Sequence, residues 1–190
     1  MNSEKLKVCV IFAGGKSSRM GMDKSLLPFG EFSSLAEYQY NRLSKLFNIV
    51  YISAKSNKFN FDVTIIEDCY IDSSPLVGLV SIFETIDIDE VFILSVDAPF
   101  VDCTIIRKLY THALSSKDVT IALSPNGVEP LCGIYRRTIL PKAKEFLDKN
   151  NHRLQALLKE VDTQKVVFFQ KDAFVNLNYL DEYQKAIEKI

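Results

Sequence analysis

The chain alternates between short apolar runs and amphipathic stretches, and this alternation constrains its fold more than any other feature. Val, Ile and Phe dominate the runs, which predict strands, whereas the stretches between them repeat apolar residues every three or four positions, as helices do. Such alternation is typical of an α/β domain whose mostly parallel sheet is covered by helices. The predicted strands are residues 7–13, 49–53, 63–66, 91–96, 119–123, 131–135 and 165–169, and the predicted helices include residues 35–47, 76–86, 104–114 and 139–149.

Length and composition predict a single domain over residues 1–190. A chain of 190 residues, 47% of them hydrophobic, can bury one sizeable core, and no linker rich in Pro, Gly or Ser divides it. The net charge of −1 offers no basic field for nucleic acid, and no apolar run is long enough for a membrane span, so we expect neither partner. Without a signal-like apolar segment or a C-x-x-C pair, a reducing, cytoplasmic location is expected.

The loop after the first predicted strand carries the clearest sign of a ligand. Residues 12–24 read FAGGKSSRMGMDK. Gly14 and Gly15 let the backbone turn sharply and approach a ligand, because neither has a Cβ, and successive N–H groups can bind an anion there. Arg19 and Lys24 add two cations suited to a polyphosphate. We interpret the loop as a nucleoside triphosphate site; a surface loop with solvated charges is the alternative.

Two widespread phosphate-binding loops do not match this segment. A Walker A motif ending at residues 15–17 requires a glycine at the position of Val10, inside the predicted strand. A dinucleotide fingerprint requires G-x-G-x-x-G, and Gly14, Gly15 and Gly21 lack that spacing.

Other candidate residues follow predicted strands, where open parallel sheets bind ligands. Asp97 follows residues 91–96 and can hold Mg²⁺ against phosphates, although a turn or helix-cap role is the alternative. Asp68 follows residues 63–66. Gly78, in the segment SPLVG that opens a predicted helix, allows close packing or contact with a base.

Residues 12–24 resemble the L-A-G-G-x-S-x-R-M-G-x-D-K signature of the molybdenum cofactor guanylyltransferases, the MobA-type nucleotidyltransferases. Residues 74–78, 95–100 and 174–178 are similar to that family's G-P-L-x-G, C-D-x-P-[FY] and F-x-N-x-N motifs, in the same order. The resemblance implies a Rossmann-like, three-layer domain similar to nucleotide-diphospho-sugar transferases. Its nucleotide half would span about residues 1–100 and its acceptor half about 101–190.

The resemblance also implies an activity. Members transfer GMP from GTP to molybdopterin with release of pyrophosphate, which forms the guanine dinucleotide form of the molybdenum cofactor, and they use Mg²⁺. It implies transient contact with proteins that deliver the cofactor or with target oxidoreductases.

The resemblance assigns roles to individual residues. The catalytic residues would be Arg19, Lys24 and Asp97, with Asp97 as the metal ligand, and Asn176 and Asn178 would bind the acceptor. The nucleotide-binding residues would be Phe12, Ala13, Gly14, Gly15, Lys24, Ser53, Asp68, Gly78 and Asp97. The chain departs from the family at Ser53, which stands for an Asn, at Ser74, which stands for a Gly, and at residues 179–180, which stand for Thr-Pro.

Three functional alternatives remain open. The chain can be a related nucleotidyltransferase that uses CTP, one that acts on another phosphate acceptor, or a non-catalytic nucleotide-binding protein. Gly14 and Gly15 favour the guanylyl branch by family pattern, and retention of Lys24 and Asp97 favours catalysis. Residues 150–153 are interpreted as a solvated turn, with contact to the acceptor as the alternative.

Overall fold

The structure is a computed structural model that describes residues 4–14 and 22–189. Within these residues, seven strands form one sheet in the order β3-β2-β1-β4-β6-β5-β7. The strands are β1 (Leu6–Phe12), β2 (Phe47–Ala54), β3 (Ile65–Glu67), β4 (Glu90–Ser95), β5 (Val119–Ser124), β6 (Gly127–Arg136) and β7 (Thr163–Val167). All seven predicted strands are therefore confirmed.

The sheet is mostly parallel, as predicted. β1 pairs in parallel with β2 and β4, β2 with β3, and β5 with β7, whereas β6 runs antiparallel between β4 and β5. The register between β5 and β6 shifts at one point: Ile121 pairs with Gly133, and the next residue, Ala122, pairs with Glu129. Irregularities of this kind bend a strand, and the predicted strand at residues 131–135 covers only the later part of β6.

Helices cover both faces of the sheet. They are α1 (Leu35–Ser44), α2 (Pro75–Thr85), α3 (Cys103–His112), α4 (Leu140–Asp148), α5 (Leu154–Glu160) and α6 (Leu180–Ile187). Alternate residues of β1 enter opposite cores: Cys9 and Ile11 pack on the side of α1, α3 and α6, whereas Val8 and Val10 pack on the side of α2, α4 and α5. The predicted three-layer arrangement is confirmed.

Helix α1 begins as predicted but ends early. The Ser34 hydroxyl accepts a hydrogen bond from the Glu37 N–H (3.1 Å), which satisfies a free donor of the first turn. The Glu37 carboxylate accepts from the N–H of Ser33 (2.9 Å), one residue earlier than a standard capping box predicts. The helix ends at Ser44, so the prediction of helix through residue 47 is wrong, because Phe47 opens β2.

The sequence pattern did not predict helices α5 and α6. Helix α3 is capped by Asp102, whose carboxylate accepts from the Ile105 N–H at 2.9 Å. Helices α5 and α6 contain 7 and 8 residues. A helix of two turns shows too few repeats of the 3.6-residue period to be read from apolar spacing.

Candidate active site

The ends of β1 and β2 meet the first turn of α2 in a tight group, which we call the strand-end cluster: Phe12, Ser53 and Gly78. A Cβ on Gly78 would lie 2.8 Å from Phe12 Cε1 and 3.1 Å from Ser53 Oγ. Only glycine admits this approach without displacing a neighbour. Close packing is thus the structural reason for Gly78, and the nucleotide-binding role of the three residues stays a prediction.

Lys58 ties together both flanks of the glycine-rich loop. Its ammonium donates to the Ala13 carbonyl (3.0 Å) and pairs with the Asp23 carboxylate (2.5 Å). Asp23 also accepts from the N–H of Ser25 at 3.0 Å, at the start of the 3₁₀ turn Lys24–Leu26. Partial burial would raise the pKa of Asp23, but hydrogen bonds from Lys58 and Ser25 together outweigh it, so the pKa lies below its usual range.

Of the residues predicted in the glycine-rich loop, the structure describes Ala13 and Gly14. Ala13 is buried, and its N–H donates to the Ser53 carbonyl at 2.9 Å. Gly14 is exposed, and a Cβ there would meet only ordinary contacts at 3.9 Å or more, so packing does not require glycine. Gly15 and Arg19 lie outside the described residues.

Lys24 and Asp97 form an ion pair at the centre of the candidate site. The Lys24 ammonium contacts the Asp97 carboxylate, and it also donates to the Asn178 side-chain oxygen (3.2 Å) and the Leu177 carbonyl (3.3 Å). The Leu177 N–H in turn donates to the Asp97 carbonyl at 2.9 Å. The loop lysine, the acid after β4 and the C-terminal segment are therefore in direct contact, as the site prediction requires.

Asp97 is not the cap of the helix that follows it, since Asp102 caps α3. Its side chain is only 13% exposed, and its second oxygen accepts from the Ser95 hydroxyl at 2.5 Å. Asn176, the other predicted acceptor residue, lies with Asp97 on the wall of a cavity described below.

Two polar side chains of α1, Gln39 and Arg42, hold the backbone on each side of Asp97. Gln39 is fully buried, and its amide donates to the Val96 carbonyl (3.0 Å). The Arg42 guanidinium donates to the Gln39 side-chain oxygen (2.6 Å) and to the Val101 carbonyl (2.7 Å). Sequence reasoning missed this pair, because Gln and Arg three positions apart on a helix resemble an exposed polar face.

A cavity of about 600 Å³, which we call the large cavity, opens beside Asp97. Nine of its lining residues are apolar, and eight are polar or charged. The lining residues are Pro75, Ser95, Asp97, Ala98, Val101, Glu129, Pro130, Leu131, Cys132, His152, Arg153, Leu154, Gln155, Ala156, Lys159, Phe174 and Asn176. A cavity of this size that combines apolar walls with polar groups is typical of a small-molecule site.

Residues 150–153, interpreted as a solvated turn, are exposed at Asn150 and Arg153 and half-buried at Asn151 and His152. His152 and Arg153 both line the large cavity. The His152 ring is partly buried, with Nδ1 3.2 Å from the Ser74 hydroxyl, and that hydroxyl also accepts from the Val77 N–H to cap α2. Residues of this segment therefore lie where the acceptor half was expected.

Asp68 and Glu129 are half-buried carboxylates whose pKa values are shifted. Burial raises the pKa of Asp68, and the positive charge of Lys55 and a hydrogen bond from Ser73 offset part of that rise. Asp68 thus lies at its predicted strand end, with these residues as its electrostatic neighbours. Glu129, which sequence reasoning missed, accepts from the Ser124 hydroxyl at 2.7 Å, and burial followed by the Asp97 charge raises its pKa.

The donor set at Asp97 fits Mg²⁺ only if the substrate supplies further ligands. Among the described residues, no group of three or more His, Cys, Asp or Glu side chains could hold a metal ion. Mg²⁺, however, is commonly bound by one or two carboxylates together with substrate phosphates and water. One buried carboxylate beside a large cavity meets that requirement, with Asp97 as the residue that would hold the ion.

The fold and the site together define a nucleotidyltransferase, and comparison with known proteins gives its family. Residues 9–166 match the family model described as MobA-like NTP transferase domain. The chain is 40% identical over 179 residues to the molybdenum cofactor guanylyltransferase of Campylobacter jejuni subsp. doylei, covering 93% of each chain. It is 35% identical over 186 residues to the enzyme of the same name from Helicobacter pylori strain P12, covering 95% of this chain and 91% of that one. The protein therefore belongs to the MobA-like NTP transferase family.

Solved structures confirm the fold. Molybdopterin-guanine dinucleotide biosynthesis protein A from Archaeoglobus fulgidus superposes with a TM-score of 0.81 at 18% identity, covering 97% of this chain and 98% of that one. A nucleotidyl transferase from Methanothermobacter superposes with a TM-score of 0.72 at 17% identity, covering 98% of both. In the part of the chain that the structure describes, no helix has the length and apolar character needed to cross a membrane.

Proposed function

We propose that this protein transfers GMP from GTP to molybdopterin and releases pyrophosphate. The observation that carries the proposal is the Lys24–Asp97 pair, which joins the end of the glycine-rich loop to the wall of the large cavity. A nucleotide phosphate and an acceptor phosphate must meet at one point, and this pair lies where the two predicted halves touch. Family membership and the names of the relatives at 35–40% identity support the same reaction.

The reaction needs little from the protein beyond positioning and charge. A phosphate oxygen of the acceptor attacks the α-phosphorus of GTP, the new P–O bond forms, and the bond to the β-phosphate breaks with its electron pair on pyrophosphate. A phosphate is anionic at neutral pH, so the attack requires no general base. Lys24 stabilises the charge that develops on the transferred group, and Asn176 and Asn178 orient the acceptor.

Asp97 is the residue that we propose holds Mg²⁺ in the complex with GTP. Bound there, the ion would neutralise phosphate charge and favour departure of pyrophosphate. The Ser95 hydroxyl donates to one oxygen of Asp97 and so orients the carboxylate that would hold the ion.

The remaining parts of the proposal concern the setting of the reaction. The cysteines Cys9, Cys69, Cys103 and Cys132 are all free thiols, which supports a reducing compartment such as the cytoplasm. The product would pass to oxidoreductases or delivery proteins through transient contacts.

The decisive experiment identifies the product. The protein is incubated with Mg²⁺, molybdate-loaded molybdopterin and, in separate reactions, GTP, ATP, CTP or UTP, and the products are separated and weighed by mass spectrometry. We expect the GMP adduct and pyrophosphate in clear excess, since donors and acceptors arranged for one base cost about 1–3 kcal/mol for each group that another base leaves unpaired. Equal turnover of CTP and GTP would contradict the choice of nucleotide.

A further inference from the structure

The large cavity holds a second carboxylate, Glu129, to which the motifs of the sequence assign no role. Glu129 lies on β6 at the register shift, opposite Ala122 of β5. Its Oε1 accepts from the Ser124 hydroxyl at 2.7 Å. In the ion pairs of residues 4–14 and 22–189, no Lys or Arg side chain pairs with it. A half-buried, oriented carboxylate thus faces the cavity with acceptor capacity to spare.

The surroundings of Glu129 suit a flat ring that carries N–H donors. Pro130, Leu131 and Ala156 contribute apolar wall to the same cavity. A planar heteroaromatic group can bury its faces on such walls while its polar edge bonds to the Glu129 carboxylate. Ser124 supplies one donor to the half-buried Glu129 carboxylate, and a ligand that donates to its remaining acceptor sites would offset more of the cost of its burial.

The nucleotide is a poor candidate for this ring. Phe12, Ser53 and Gly78, which form the strand-end cluster, are not among the lining residues of the large cavity. Asp97 lines it, and so does Asn176 from the predicted acceptor half. Glu129 therefore lies on the acceptor side of the Lys24–Asp97 pair.

We infer that Glu129 binds the pterin ring of the acceptor by accepting hydrogen bonds from its 2-amino group and the adjacent ring N–H. This inference rests on the proposed function, which supplies a pterin acceptor. The 2-amino group and the ring N–H point in nearly the same direction and match the two oxygens of one carboxylate, a bidentate and charge-assisted arrangement. Ser124 fixes one of those oxygens and so sets the plane of the pair.

Glu129 would then determine specificity at one atom of the acceptor. In a lumazine, a carbonyl oxygen replaces the 2-amino group of a pterin. The Glu129 carboxylate and that oxygen are both acceptors, so no hydrogen bond would form between them. A site built to accept a hydrogen bond rejects an analogue that cannot donate it much more strongly than an apolar wall would.

The test compares two matched probes on three proteins. We would titrate 6-hydroxymethylpterin monophosphate and 6-hydroxymethyllumazine monophosphate into the wild type, Glu129→Gln and Glu160→Gln by calorimetry. Glu160 is an exposed residue at the end of α5 that does not line the cavity, so it controls for the substitution itself. The wild type and Glu160→Gln should prefer the pterin by roughly 10- to 100-fold. Glu129→Gln should lose most of that preference, because its amide can donate to the carbonyl.

Each outcome decides the inference. An unchanged preference in Glu129→Gln overturns it, as does a wild type that does not discriminate. Weaker binding of Mg·GTP with an intact pterin preference would place Glu129 on the nucleotide and also overturn it. Turnover of molybdopterin is measured in parallel: a wild type that forms the GMP adduct while Glu129→Gln keeps its preference refutes the role of Glu129 alone, whereas a wild type that forms none refutes the proposed function.

Discussion

The strand-end cluster and the large cavity are built in different ways. The cluster comes from two adjacent strand ends and the start of α2, and it closes around a glycine that leaves no spare volume. The large cavity takes polar groups from Glu129 on β6, His152 in the turn before α5, and Asn176 in the segment after β7. Both regions join separate parts of the chain, but the cluster is closed by packing, whereas the cavity stays open between the segments that line it.

The difference shows which part of such an enzyme can vary. The strand-end cluster tolerates little change at Gly78, because an added Cβ would lie 2.8 Å from Phe12 Cε1. A cavity assembled from separate segments can change one wall at a time. Asp97 lines the large cavity, and the N–H of the residue before it, Val96, donates to the Phe12 carbonyl of the cluster at 3.0 Å. Substitutions at the Lys24–Asp97 pair and on either side of it therefore separate the contributions of the two regions.

The largest effect is expected from Asp97→Asn. The variant keeps the size of the side chain and can accept from Ser95, but it removes the charge that attracts Mg²⁺. We expect transfer to fall about 10³- to 10⁴-fold, the several kcal/mol that a correctly placed metal contributes. Binding of the pterin monophosphate probe should change little, since that probe needs no metal.

The matched control for this variant is Asp162→Asn. Asp162 forms a surface ion pair with Lys117 at 2.7 Å, and neither residue has an assigned role in the site. The variant therefore reports the cost of the same substitution in a surface pair. Activity is measured across a Mg²⁺ titration beside a thermal melt. Unchanged activity at limiting Mg²⁺ would show that Asp97 is a structural turn residue, and the two regions would then lack a shared metal.

Lys24→Ala is expected to have the next largest effect. Removing one preorganised donor to the reacting phosphates lowers the rate by roughly 10²- to 10³-fold. Lys24 also contacts Asn178 and the Leu177 carbonyl, so the variant should weaken the pterin probe a few-fold, which Asp97→Asn should not. Lys117→Ala is the control, and steady-state kinetics with calorimetry give both numbers. Near-normal turnover would show that Lys24 has a structural role and does not act on the reacting phosphates.

The sequence predicted some residues of the candidate site and missed others. Lys24, Asp97 and Asn178 were predicted from separate motifs, and the structure brings their side chains together. Asp97 stands directly after a strand, so its place was readable from local pattern and from the rule that ligands bind at strand ends. Asn178 was assigned by its motif alone.

Other residues carry no local signal. Glu129 lies on β6 at the point where the register with β5 shifts. The pairing between two strands cannot be predicted from the sequence of either strand alone. Gln39 is fully buried because its helix face meets the carbonyls before Asp97, a contact across more than fifty positions of chain. Such positions depend on tertiary packing, which apolar periodicity does not report.

The smallest effect is expected from Lys58→Met, which acts on the loop flanks alone. Lys58 joins the Ala13 carbonyl to Asp23, and it lies on the side of the strand-end cluster. The variant should raise the Kd of Mg·GTP a few-fold and leave the pterin probe unaffected, with Lys45→Met, an exposed lysine at the end of α1, as the control. A partly exposed pair of this kind contributes about 0.5–1 kcal/mol, or a Tm difference of about 1–4 °C in a chain of this length.

The pH dependence of that Tm difference tests its cause. The pKa of Asp23 is lowered in the folded protein, with Lys58 as a main contributor, so the pair stabilises the fold above the pKa of the unfolded chain, about 3.9. The stabilisation is lost as the pH falls through the lower, folded-state pKa. We therefore expect the Tm difference between the wild type and Lys58→Met to hold from pH 7 to about 5 and to shrink below about 4. A difference that stays constant down to pH 3 would assign the role of Lys58 to its bond with the Ala13 carbonyl, and the tie between the loop flanks would then not depend on Asp23.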